Sequence, residues 1–145
     1  MRVMVMVKGD DAIENGTIPP EDMEKMFTEM GKFNEELVNA GVMKSGEGLH
    51  PSSKGKRVMF DGARRTVIDG PFAEAKELIA GYWIWEVKDM DEAVDWAKRC
   101  PNPTGVQGQL EIRQIQELDD MGDSFTPELR QQEEDLRARI EDQQK

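Results

Sequence analysis

The sequence predicts an α+β domain in which helices pack on one face of a sheet. Apolar segments with strand periodicity alternate with amphipathic segments of helical periodicity, in the order strand, helix, hairpin, strand, helix, strand. The chain has 145 residues, of which 37% are hydrophobic, and its apolar clusters lie in the first two thirds. One core with an appendage is therefore expected.

The first strand is predicted over residues 2–8. Its side chains alternate between two apolar faces, one with Val3, Val5 and Val7 and the other with Met4 and Met6. Such a strand should be covered on both faces, by helices on one side and by another sheet or a partner subunit on the other. Residues 9–16 are acidic and turn-rich, and they predict a surface loop.

A long amphipathic helix is predicted to begin near Pro19 and Pro20, because proline is tolerated in a first turn, and to end at Gly41. Its apolar residues recur at three- and four-residue spacing and form one stripe, which consists of Met23, Met26, Phe27, Met30, Phe33, Leu37 and Val38. Core packing is the favoured interpretation of this stripe. A plastic, methionine-lined binding surface is the alternative, since methionine adapts to irregular shapes.

Residues 42–49 are predicted to form a short extended segment. A hairpin should follow, with strands over 57–60 and 66–68 that are joined by a loop from 61 to 65. Because a hairpin supplies two neighbouring strands, we expect these strands to belong to the sheet of the domain.

Residues 71–77 are predicted to make about two helical turns, and residues 79–87 form an aromatic strand. The alternation of this strand places its aromatic and apolar side chains on two faces, one with Trp83 and Trp85 and the other with Tyr82 and Ile84. Packing in the core or against a second subunit is favoured for these side chains. Stacking on a ligand is the alternative.

The second helix is predicted to begin after Asp89, which with Glu92 resembles a capping box. Its buried side consists of Met90, Ala93, Val94, Trp96, Ala97 and Cys100. Pro101 and Pro103 should end it, and a last strand is expected from Leu110 to about residue 116.

The composition excludes several classes of function. The net charge of −11 opposes binding to nucleic acid phosphates. The amino-terminal apolar run is too short for a secretion signal or a membrane span, so a cytoplasmic protein without membrane association is predicted. Cys100 is the single cysteine, which excludes an intramolecular disulfide. No nucleotide-binding glycine loop and no metal-ligand cluster is present in the sequence, so neither a cofactor nor a metal is predicted.

The tail from residue 119 differs from the rest, since it has nine acidic and four basic residues. We therefore predict a domain over residues 1–118 and an acidic helical extension over residues 119–145. Thr126-Pro127-Glu128 is a good helix start. Its thin apolar seam, formed by Leu129, Leu136 and Ile140, suggests a helix that needs a subunit or a partner surface.

His50 is the only imidazole, so an acid–base step near neutral pH that needs histidine must use it. A surface or structural histidine is the alternative. Asp69 precedes Gly70 and Pro71, and a turn carboxylate commonly accepts backbone N–H bonds. That structural role is weighed against a functional one, in which Asp69 orients His50 or binds a polar ligand.

The basic residues around this turn are Arg57, Arg65 and Lys76, which could meet a carboxylate or a phosphate. A solvated surface is the plainer interpretation. Together with Gly70, Pro71 and Phe72 they form the predicted ligand-binding set, and an anionic group is one form of ligand that they suit.

The run Asp69-Gly70-Pro71-Phe72 continues as AEAKE and is followed by Gly81-Tyr82. With GEGLHPSS at 46–53, WAKRCP at 96–101 and EIR at 111–113, it resembles the DGPF family of YCII-related proteins over nearly all of residues 1–118. The resemblance implies a ferredoxin-like βαββαβ antiparallel sheet of the dimeric α/β barrel type. The family is largely uncharacterised, and its members are suspected enzymes because a histidine and an aspartate face a pocket.

Two functions are therefore expected as alternatives. The first is a small homodimeric enzyme that uses His50 and Asp69 for proton transfer on a small organic substrate. The second is a non-catalytic module that senses a ligand or binds another protein, with its acidic tail helix docked on the partner. Pairing of two sheets is the simplest form of the homodimer.

Overall fold

The computed structural model describes residues 1–102 and 107–145. Its contacts divide the chain into two compact units, Met1–Gln114 and Ile115–Lys145. Pro103, which was predicted to help end the second helix, lies outside the described residues.

The described residues of the first unit form a four-stranded sheet, a separate hairpin and three helices. In chain order the elements are β1 (Arg2–Lys8), α1 (Asp11–Asn15), α2 (Pro20–Asn39), β2 (Met43–Gly48), β3 (Lys56–Asp61), β4 (Arg64–Asp69), β5 (Ile79–Glu86), α3 (Met90–Lys98) and β6 (Leu110–Gln114). Single 3₁₀ turns lie at Ser52–Lys54 and Ala75–Glu77.

The sheet has the strand order β2-β5-β1-β6, and each neighbouring pair is antiparallel. Helix α2 connects β1 to β2, and α3 connects β5 to β6. This arrangement is the ferredoxin-like βαββαβ fold, so the predicted fold class is confirmed.

The core lies between the sheet and the two long helices. Val3, Val5, Trp83 and Trp85 point from the central strands toward Phe33 and Leu37 of α2 and Ala93 of α3. The Phe33 ring meets the two indoles edge-on, with centroid distances of 5.9 Å and 6.3 Å. Both helices therefore cover the same face of the sheet, and the predicted packing role of the two tryptophans is confirmed.

The hairpin differs from the sequence prediction in two ways. Strands β3 and β4 form a sheet of their own, and β2 takes the position beside β5. Asp61 pairs with Arg64, so the loop contains only two residues, and Gly62 adopts a left-handed conformation with φ of 60°. Glycine reaches that conformation without steric cost, which permits a tighter turn than we predicted.

Residues 9–16 contain a short helix where the sequence predicted a loop. The carboxylate of Asp10 accepts a bond from the backbone N–H of Ile13 at 2.8 Å, and Gly16 closes α1 with φ of 65°. These two end signals stabilise a helix that is too short to show a periodic apolar pattern.

Residues 71–77 were predicted to form two helical turns, but only the 3₁₀ turn at Ala75–Glu77 forms. Gly9 donates a backbone hydrogen bond to the Leu78 carbonyl at 2.8 Å. Leu78 itself is extended, with φ of −88° and ψ of 159°. The chain therefore passes from the 3₁₀ turn directly into β5.

The second unit contains a 3₁₀ turn at Leu118–Asp120 and helix α4 (Pro127–Gln143). The Thr126 hydroxyl accepts from the Leu129 N–H at 3.3 Å, which confirms the predicted helix start. Two ion pairs at i,i+4 spacing lie along the helix surface, Arg130 with Glu134 and Arg137 with Glu133.

Candidate apolar cavity

A cavity of about 700 Å³ lies between the amino-terminal half of α2 and strands β2 and β5. Its volume is within the usual range for sites that hold a small organic molecule. Most lining residues are apolar, among them Ile13, Ile18, Met23, Met26, Phe27, Met30, Met43, Leu49 and Trp83.

The apolar stripe of α2 is shared between the core and this cavity. Phe33 and Leu37, in the carboxyl-terminal half, are buried in the core. Met23 and Met26, in the amino-terminal half, line the cavity together with Met30, which lies at the middle of the helix. The stripe therefore contributes both to the core and to the cavity, whereas Val38 at its carboxyl-terminal end is 59% exposed. Flexible thioether side chains can adapt to ligands of different shape.

The cavity has few polar side chains. Asn34 and His50 are polar lining residues, and no lysine or arginine is among the described residues of the wall. Glu47 and Tyr82 also belong to the lining, but they pair in register on the sheet face opposite Trp83, so strand alternation turns their side chains away from the cavity. The indole N–H of Trp83 donates to the Asn34 carbonyl oxygen at 2.9 Å. Without a lysine or arginine in the described wall, an anion would lose its hydration there with little compensation.

Strand β2 approaches Trp83 closely because residue 46 is glycine. A β-carbon at Gly46 would lie 2.7 Å from Cδ1 of that indole. The ring is also held by the edge of Phe33 and lies 5.6 Å from Trp85. The Trp83 side of the cavity is consequently closely packed.

The segment that carries His50 is fixed at both ends. Leu49 donates a backbone bond to the Ala80 carbonyl at 2.8 Å. The carboxylate of Glu14 accepts bonds from the Ser52 N–H at 3.1 Å and from the Ser52 hydroxyl at 2.5 Å. We call this second attachment, Glu14 with Ser52, the clasp. Because its carboxylate is charged and half-buried, these bonds are stronger than neutral ones.

The Asp69–Phe72 turn, in which the Gly70–Pro71 peptide is cis, packs against the clasp. The Phe72 N–H donates to the Ser52 hydroxyl at 3.0 Å, and Gly70 donates to the Gly55 carbonyl at 3.0 Å. A β-carbon at Gly70 would overlap the carbonyl of Ser52, so only glycine fits. Through these contacts the turn supports the loop that forms one wall of the cavity.

Of the predicted site residues, His50 lines the cavity, whereas the remaining seven are not among its lining residues. Asp69 is 73% exposed and bonds to the Lys56 amine at 2.5 Å. Arg57 lies over the Phe72 ring at 3.9 Å, and Arg65 lies over the Phe60 ring at 4.5 Å. Lys76 is exposed on its 3₁₀ turn.

Sequence reasoning missed Asn34 and Glu14. Asn34 lies four positions after Met30 and seven after Phe27, so helical geometry places it on the apolar stripe of α2. A polar residue inside an apolar stripe can be detected from the sequence alone, so Asn34 could have been predicted as a candidate residue. Glu14 gave none, because its partner Ser52 lies 38 residues away.

Burial raises the pKa of the Cys100 thiol to about 11, so this thiol stays protonated at neutral pH. The described residues contain no group of histidine, cysteine and carboxylate side chains that could hold a metal ion. None of the described helices is long and apolar enough to span a membrane.

The fold and the cavity define a ferredoxin-like α+β protein with an apolar pocket against its sheet. The YCII-related domain family matches residues 1–119, and the chain therefore belongs to the YCII-related family. It is 26% identical over 115 residues to the uncharacterized protein R00369 of Rhizobium meliloti (strain 1021). That alignment covers 79% of this chain and 92% of the relative.

Proposed function

We propose that the protein binds a small, largely apolar organic molecule in the cavity between α2 and the sheet. The observation that carries the proposal is a space of about 700 Å³ whose lining is mostly apolar. Burial of apolar surface would drive binding at about 25 cal/mol per Å². The methionine side would adapt to the ligand, while the Trp83 side would orient it.

A neutral, fluorescent apolar probe, N-phenyl-1-naphthylamine, tests the proposal by titration. Met26→Trp should fill the cavity and weaken probe binding at least tenfold, because the larger ring occupies the space of the ligand. The matched control is Met90→Trp on α3, where Met90 is exposed and does not line the cavity. Equal binding by both variants would refute the proposal.

Proton transfer is the second candidate function, and it is favoured by His50 at the cavity wall. We propose that the imidazole would act on a ligand bound there as a general base. The sequence paired His50 with Asp69, but the salt bridge from Asp69 to Lys56 gives that carboxylate another partner. In this proposal Asp69 is dispensable.

Exchange of the methyl protons of 2-acetylnaphthalene in D₂O measures such a step. His50→Gln should reduce the rate to that of the buffer, whereas Asp69→Asn should leave it unchanged. A loss of exchange in Asp69→Asn would instead favour joint action of His50 and Asp69, as the sequence suggested. Equal rates for the wild type and His50→Gln would remove proton transfer on ketones from consideration.

We also propose that the chain forms a homodimer, with the hairpin as its contact surface. Both faces of β3 and β4 are exposed, including Phe60 at 72% and Val67 at 59%. An isolated two-stranded hairpin is only marginally stable in water. The sheet face predicted to pair carries Met4, Met6, Tyr82 and Ile84, which are buried or half-buried.

Charge complementarity supports a second copy as the occupant. Arg57, Met59 and Asp61 share one face of β3. Two β3 strands could pair in antiparallel orientation about a two-fold axis at Met59. Arg57 of each subunit would then lie opposite Asp61 of the partner subunit. Opposite charges in such positions stabilise a sheet by about 0.2–1 kcal/mol per pair.

Light scattering distinguishes the two surfaces. Met59→Glu should convert the dimer to a monomer, because it buries a charge at the two-fold axis. Ile84→Glu should leave the dimer intact. If Ile84→Glu is monomeric and Met59→Glu is dimeric, the contact lies on the sheet face and not on the hairpin. A monomeric wild type at micromolar concentration would contradict both dimers.

A further inference from the structure

We infer that the cavity selects neutral ligands that carry a carbonyl-type oxygen, which Asn34 recognises. This inference rests on the proposed binding function and specifies the ligand. Its basis is the hydrogen bond from the Trp83 indole to Asn34.

The orientation of the Asn34 amide follows from chemistry. An indole N–H can only donate, so the amide must turn its oxygen toward Trp83. The distance from Nε1 to Oδ1 is 2.9 Å, which is an ordinary hydrogen bond. The amide NH₂ group, with two donors, is then left for other partners, and no other hydrogen bond of this side chain is found among the described residues.

Trp83 is closely packed, and its hydrogen bond to Asn34 orients the amide as a donor toward other partners. Gly46 allows β2 to lie against the indole, and Phe33 meets its edge. Both Asn34 and Trp83 line the cavity. An oriented donor in an apolar wall discriminates well, because a ligand without an acceptor leaves it unpaired after water is displaced.

The charge of the wall determines the charge of the ligand. The Glu47 side chain lies on the sheet face opposite Trp83, and the described wall contains no lysine or arginine to balance an anion. A carboxylate or phosphate would lose its hydration without gaining a cation. The suitable ligands are therefore ketones, aldehydes, esters or amides with an apolar body. This proposal differs from the anionic ligand that the basic residues near Asp69 suggested.

Three naphthalenes of nearly equal shape test the inference by competition with N-phenyl-1-naphthylamine on the full chain. They are 2-acetylnaphthalene, 2-ethylnaphthalene and 2-naphthoate. The wild type should bind the ketone about five- to tenfold more tightly than the hydrocarbon, as expected for one hydrogen bond. The carboxylate should bind most weakly.

Asn34→Asp provides the matched variant, since its carboxylate can still accept from Trp83 but has no N–H to donate. The preference for the ketone over the hydrocarbon should therefore disappear. If the wild type does not distinguish ketone from hydrocarbon, or binds 2-naphthoate most tightly, the inference is wrong although the cavity binds ligands. If the fluorescent probe itself does not bind, the proposed function has failed.

Discussion

Individual residues of the Asp69–Phe72 turn act through close packing. Gly70 lies so near the Ser52 carbonyl that a side chain cannot be accommodated, and Phe72 bonds to the Ser52 hydroxyl. The chemical character of Asp69 is secondary, because its ion pair with Lys56 is largely exposed and exposed pairs stabilise by at most about 1 kcal/mol. The turn is thus a structural support for the cavity wall.

Gly70→Ala should lower the free energy of unfolding by about 1–3 kcal/mol, since the added methyl group forces the backbone apart. Gly31→Ala is the control, because no atom lies within 4 Å of the added carbon on helix α2. That variant should gain about 0.5–1 kcal/mol from its helix propensity. Urea unfolding measures both, and equal effects would disprove the packing argument.

Cys100 should be almost inert toward iodoacetamide in the folded protein. With a pKa of about 11, roughly a hundredfold less thiolate is present at pH 8 than for a thiol of ordinary pKa near 9. The stability linked to this group is complete below pH 9 and decreases as the pH rises from 9 through 11, because only the unfolded thiol ionises readily. A native alkylation rate equal to that in urea would contradict the burial.

Among the secondary-structure elements, the loop between β2 and β3 depends on the clasp. Ser52 joins Glu14 of α1 to Phe72 of the turn, and His50 lies between Ser52 and the backbone bond of Leu49 to Ala80. A helix of five residues is thereby connected to the far side of the cavity. The short α1 contributes to the site mainly through this one carboxylate.

Ser52→Ala should lower stability by about 1–3 kcal/mol, because it leaves the Phe72 N–H and one Glu14 oxygen without this partner. Probe binding should weaken as the His50 loop loosens. Ser53→Ala, at an exposed neighbouring position, should stay within about 0.5 kcal/mol of the wild type. Identical melting curves for the two variants would show that the clasp does not stabilise the fold.

The elements with long periodic patterns were predictable from the sequence, and the contacts between distant segments were not. Helix α2 and strand β5 follow directly from their apolar spacing. The position of the hairpin outside the sheet could not be predicted. Strands β2 and β3 have similar length, and the structure differs from the prediction because β2, not β3, pairs with β5. The cavity follows from that choice, so of its wall only His50 was predicted as a site residue.

Across the whole molecule, the two units differ in what stabilises them. The buried core lies entirely within residues 3–93 of the first unit. In the second unit α4 has no buried residue, and Leu129, Leu136 and Ile140 are exposed by 44%, 41% and 52%. An exposed seam of this kind is consistent with the alternative function, in which the tail helix docks on another protein.

Deletion of residues 119–145 should therefore leave the cooperative unfolding of the first unit and its probe binding unchanged. Circular dichroism and fluorescence titration of the truncated chain measure this outcome. Loss of a protein complex by the truncated but folded chain would favour the interaction module. Unfolding of the truncated chain would show instead that the tail completes the fold.

Ligand binding in the cavity is measured most directly by the indole N–H resonances of the three tryptophans during titration with 2-acetylnaphthalene. Trp83 lines the cavity, whereas Trp85 lies in the core and Trp96 lies on α3 beneath Arg99. We expect a large, saturable shift of the Trp83 signal and an unchanged Trp96 signal. A saturable shift of Trp96 with an unmoved Trp83 would contradict binding in this cavity.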